Sequence, residues 1–152
     1  MVDGFGGATT TNTSSNQFSE SDKAVGEQYP AVLIVDSTVE DSAILLDGLV
    51  PGTHVVRAEA GKLAEVAQEL EALAPASAVH ILTHGEPGAF TLGGERIDAA
   101  SLENRTPIAN ALAHVAATAS SIALWACNVG KTQIGVRFLD ALSNLTGASV
   151  YA

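Results

Sequence analysis

Basic side chains are scarce in this sequence, and cysteine is nearly absent. Seven Lys and Arg stand against 17 Asp and Glu, a formal net charge of −10. A surface of that sign repels phosphate backbones and anionic headgroups, so no nucleic-acid partner is expected, while cationic partners stay open. The single cysteine, Cys127, excludes an internal disulfide framework and any multi-cysteine metal site, and leaves the compartment undetermined. No apolar run reaches the ~18 residues of a membrane span, so no membrane insertion is expected. The N-terminus has neither the basic start nor the apolar stretch of a secretory signal. Nucleotide loops are missing too, because no P-loop lysine or G-x-G-x-x-G pattern accompanies Gly93-Gly94.

What the sequence does have is apolar character. With 152 residues, 47% of them hydrophobic, it suits one domain with a sizeable core. Residues 1–29 are rich in Gly, Ser, Thr and Asn and read as a flexible leader, which leaves the folded domain to residues 30–152. Residues 31–36, AVLIVD, form a continuous β-branched run, as expected of a strand buried on both faces of a parallel sheet. A helix over 38–49 follows, with Val39, Ala43, Leu46 and Leu49 at helical spacing and Pro51-Gly52 as its stop.

Residues 54–58 read as a second strand, 62–74 as a second helix and 78–83 as a third buried strand. Gly93-Gly94 then marks a small accessory hairpin outside the main sheet. Asp98 is placed to cap a short helix, and Pro107 to begin another that runs to about residue 119. Residues 122–126 form the fourth strand, 134–145 a helix closed by Gly147, and 149–152 a fifth strand. This alternation implies a three-layer α/β/α domain with an open, mainly parallel sheet and helices on both faces.

Open parallel sheets bind ligands beyond the carboxyl ends of their strands. Asp36, His84 and Cys127 all fall there. If the third and fourth strands are neighbours, His84 and Cys127 lie on adjacent loops, where an imidazole can activate a thiol or protonate its leaving group. Gly85 allows close backbone approach, and its N–H with that of Cys127 can hold an oxyanion.

Simpler readings stand beside these. A lone cysteine after an apolar run is often a buried small hydrophobe, and a His before Gly is often only a turn. Asp36 starts the turn after the first strand, or its carboxylate selects a basic substrate side chain. His80 and His84 have the i, i+4 spacing of helical metal ligands, but four residues of strand span about 13 Å, too far to share an ion, so no metal is assigned.

Four stretches together carry a resemblance: AVLIVDSTVED at the first strand, ILTHGEPGAFTLG at the third, WACNVG at the fourth and LTGASV near the end. They resemble a bacterial domain of uncharacterised function found near the start of very large adhesin-like surface proteins. That domain looks like a relative of the caspase-like cysteine peptidases. The resemblance covers residues 31–152 and implies the strand order 2-1-3-4-5, shared by caspase-like and flavodoxin-like sheets. It implies a catalytic dyad of His84 and Cys127 with Gly85 at the oxyanion, and Asn128, next to Cys127, is taken with Asp36 as a candidate substrate-binding residue.

The resulting expectation is a cysteine peptidase that cuts its own parent chain or a nearby polypeptide, in a secreted or surface-exposed bacterial protein. No cofactor is required, although the adhesin setting and the acidic composition make calcium plausible without a D-x-D-x-D-G loop to name its ligands. Caspase-like sheets have a sixth strand. The chain ends one strand short of that, as either a processed product or an arbitrarily bounded piece of a longer protein would. The main alternative is a non-catalytic folding or interaction module, and a hydrolase or transferase acting on a small molecule is a third.

Overall fold

The computed structural model describes residues 29–152. In chain order the strands are β1 (Val32–Asp36), β2 (His54–Ala58), β3 (Ala78–Leu82), β4 (Gly85–Glu86), β5 (Ala89–Leu92), β6 (Glu95–Asp98), β7 (Ser121–Trp125) and β8 (Ser149–Tyr151). The helices are α1 (Ser42–Leu46), α2 (Leu63–Ala72), α3 (Ala99–Glu103), α4 (Pro107–Val115) and α5 (Thr132–Thr146). Apart from Tyr29, the leader expected over residues 1–29 lies outside the described residues.

All five residues of β1 are buried, which suits a strand at the middle of a parallel sheet. It lies between β2 and β3, and the full order is β2-β1-β3-β7-β8, parallel throughout, as expected. Register assigns the two faces. Ile34, Val56, Ile81 and Leu124 align on one, while Leu33, His80, Ala123 and Tyr151 align on the other. The first face meets Leu70 of α2, Leu112 of α4, and Phe138 and Leu142 of α5 in one continuous core.

The second helical layer is thinner than the sequence suggests. The helix expected over 38–49 shrinks to the five residues of α1, none of them buried. Its start is interrupted by Asp41, which takes the left-handed conformation at φ 58° and makes no side-chain cap bond. Ile44 and Leu45 remain 72% and 55% exposed. Helical spacing of apolar residues therefore did not translate into a packed helical face here.

The hairpin is larger than expected. Gly93 and Gly94, at φ 61° and 83°, make the tight turn between β5 and β6, where both central residues need positive φ. β4 adds a third antiparallel strand. This small sheet is separate from the main one yet belongs to its core, because Phe90, Leu92 and Ile97 are buried there.

Asp98 ends β6 and caps α3 as anticipated, in a reciprocal capping box with Ser101. The Ser101 backbone N–H holds the Asp98 carboxyl below the usual carboxylate range, with burial opposing and the Ser101 hydroxyl and Arg96 assisting. A lowered folded pKa means that the contribution is present above the unfolded value and disappears as pH falls through the folded one. Asp98→Ala is expected to lower stability by about 1 kcal/mol at pH 7. In urea titrations the gap between wild type and variant should close below about pH 4.

Candidate functional site

β3 and β7 are neighbours with Leu82 opposite Trp125, and the ladder runs one step further through a bond of 3.2 Å from the Thr83 N–H to the Trp125 carbonyl. His84 and Cys127 therefore open adjacent loops at the carboxyl end of the sheet. Both side chains are exposed. Side chains alternate along a strand, and Thr83 is buried, so His84 follows His80 and Leu82 onto the thinly covered face.

Gly85 is the point where the two loops touch. A Cβ there would lie 2.7 Å from the Cys127 carbonyl oxygen and 2.4 Å from Cγ2 of Val129, so only glycine allows this approach. The Thr91 N–H donates to the His84 carbonyl at 3.0 Å. Antiparallel ladders alternate, which makes Gly85 and Phe90 a non-hydrogen-bonded pair. The Gly85 N–H consequently points away from β5, at the open edge of the small sheet.

The His84 ring is oriented by a residue that sequence reasoning missed. Its Nε2 stands 3.3 Å from the carbonyl oxygen of Thr38. A carbonyl can only accept, so in the neutral ring Nε2 carries the hydrogen and Nδ1 keeps the lone pair. Among the described residues, His84 and Cys127 are not hydrogen-bonded to each other. Such contacts commonly tighten only around a substrate.

Asp36 is 1% exposed and surrounded by protein donors. Oδ1 accepts the Gly93 N–H at 2.8 Å, while Oδ2 accepts the Thr38 N–H at 3.1 Å and the Thr38 hydroxyl. Of its two sequence readings the turn-forming one describes this geometry. The substrate-selecting one does not, because the carboxylate faces the protein rather than a cleft. Asp36 ties together the end of β1, the turn between β5 and β6, and the residue whose carbonyl orients His84.

Asn128 is exposed next to Cys127 and takes the left-handed conformation at φ 65°, which Asn tolerates better than most residues. Its carbonyl accepts the Lys131 N–H at 3.0 Å, closing the turn that leads toward α5. His80 does not converge with His84. Its Nδ1 accepts the Trp125 indole N–H at 3.1 Å, with the two rings stacked 6.3 Å apart. Among the described residues, no three His, Cys, Asp or Glu side chains cluster as ligands for calcium or another metal ion.

Sheet order and loop placement define the class: an open parallel-sheet α/β domain with an exposed Cys and His on adjacent loops at the carboxyl ends of its inner strands. Residues 32–152 match the domain of unknown function DUF4347, and the chain belongs to that family. No curated protein and no solved structure matches it. No helix among the described residues is long and apolar enough to cross a membrane.

Proposed function

We propose that this domain is a caspase-like cysteine endopeptidase that cuts its own parent polypeptide or a neighbouring one, within a secreted, adhesin-like bacterial surface protein. The surface setting rests on the sequence resemblance alone. The chemistry is supported chiefly by one observation: His84, with Nε2 turned to the Thr38 carbonyl, stands on the loop that packs through Gly85 against the backbone of Cys127.

In this reading, Nδ1 of His84 takes the proton of the Cys127 thiol, and the sulfur adds to a peptide carbonyl carbon. The N–H groups of Gly85 and Cys127 hold the resulting oxyanion, and Asn128 contacts the substrate beside it. When the tetrahedral adduct collapses, the C–N bond breaks and the amine leaves with the proton from His84. Water then hydrolyses the thioester, which releases the carboxylic acid and restores the thiol. A tethered substrate makes self-cleavage efficient even at a shallow site, because its effective concentration is high.

Cys127 is the only thiol, so intact-mass detection of iodoacetamide labelling reports on it alone. At neutral pH the folded wild-type chain is expected to label at least about tenfold faster than His84→Ala, since an unassisted thiol is mostly protonated there. Equal rates would remove His84 from the chemistry and leave the non-catalytic interaction module as the better reading.

A further inference from the structure

The thinly covered face of the sheet carries a contact that the candidate dyad does not use. Across the β3–β7 ladder His80 lies opposite Ala123, and Trp125 is its diagonal neighbour on the same face. The Trp125 indole N–H donates to Nδ1 of His80 at 3.1 Å. An indole nitrogen can only donate, so Nδ1 must offer a lone pair and the hydrogen of the neutral ring sits on Nε2. One bond therefore fixes both the charge and the tautomer of His80.

A proton on Nδ1 is incompatible with that bond. Two N–H groups would then point at each other, with no acceptor between them. No anion among the groove's described residues stands by to hold the imidazolium either. Leu33 from β1, Leu45 from α1, Leu49 and Val50 from the loop after it, and Leu82 and Trp125 from the two strands share a groove of about 300 Å³ with His80, the only titratable side chain among the described residues that line it. Asp41 and Asp47, at the ends of α1, lie outside that lining. Arg57 of β2 and Tyr151 of β8 are on the same face, each two strands or about 10 Å away, and His84, four residues on in the chain, is about 13 Å off.

Trp125 is the partner able to move, because it is 59% exposed while His80 is half-buried on a strand paired on both sides. We propose that His80 and Trp125 form a proton-sensitive latch between β3 and β7, closed while Nδ1 of His80 is bare and released when it takes a proton from solvent. Release lets the indole swing off the groove wall, at the strand end where the Cys127 turn begins. The latch stands apart from the peptidase reading and needs no catalysis.

The test is a pH titration of the full chain by nuclear magnetic resonance. Trp125 is the only tryptophan, so the indole N–H gives a single cross-peak, and long-range imidazole spectra follow the nitrogens of His80. Between about pH 8 and about pH 5, the interval in which imidazoles change charge, the indole proton is expected to move upfield with the same midpoint as the His80 ring. Its exchange with water should speed about fivefold, the loss of one hydrogen bond of ordinary net strength. Backbone peaks of Ile34 and Ile81 in the core should hold still, which separates release of the latch from unfolding. His80→Phe, which has no acceptor, is expected to show the released indole position at every pH. An indole peak that stays in place while the His80 ring titrates, or that moves equally in His80→Phe, overturns the latch. So does a His80 ring that keeps one state down to about pH 5. Both midpoints are read in the wild type, so the result stands even where the variant fails to fold.

Discussion

Phe138→Ala is expected to lower the free energy of unfolding by about 3–5 kcal/mol, the largest stability effect of any single truncation considered. Phe138 is 1% exposed on α5 and meets Phe90 of β5 edge-on, with ring centroids 5.9 Å apart. Its removal would leave a void between a helix of the main layer and the small sheet, and would also remove an aromatic pair. A domain of this size is stable by only ~5–15 kcal/mol, so the variant should sit near its unfolding threshold at 37 °C. Urea titration followed by circular dichroism measures the change, with Phe138→Leu as a smaller truncation expected to cost less than the alanine variant. A loss below 1 kcal/mol for the alanine variant would mean that α5 does not anchor the small sheet as described.

Asp36→Ala should also be severe, at about 2–4 kcal/mol, because it strands the buried N–H of Gly93 and releases Thr38 together. Asp36→Asn keeps one acceptor oxygen and is expected to lose less. The same change carries a second readout. If Asp36 holds the segment whose carbonyl orients His84, Asp36→Asn should slow iodoacetamide labelling of Cys127 even at temperatures where the chain is fully folded. A substrate-selecting carboxylate would behave differently: stability would barely change, and only the preference for basic side chains would be lost. Unchanged stability in Asp36→Ala would overturn the tie described for it.

The main sheet was legible because its signals are local. AVLIVD is an unbroken apolar run that could only be covered on both faces, and Pro107, Asp98 and Gly147 mark helix ends by chemistry that operates within one turn. His84 and Cys127 were legible as strand-end residues for the same reason. What escaped depends on partners distant in sequence. Thr38 orients His84 through its carbonyl, a group every residue has and no residue type announces. Gly93, which meets Asp36, is 57 positions away. β4 has two residues, too few to show a period. Helical spacing over 38–49 was real, but spacing cannot say whether the face it creates will be buried, and α1 buries none of it. An apolar groove lined by Leu33, His80, Leu82 and Trp125 was hidden by the same alternation that built the core, because Leu33 and Leu82 are interleaved with Ile34 and Ile81.

Trp125 has a further consequence. It is the sole tryptophan of the chain, more than half exposed, and it stands on the wall of an apolar groove two residues before the candidate nucleophile. Indole emission shifts to shorter wavelength when hydrocarbon replaces water around the ring, and there is no second indole to mask the change. The domain thus carries its own optical gauge two residues from Cys127, and the unmodified chain can report any change in what surrounds that ring.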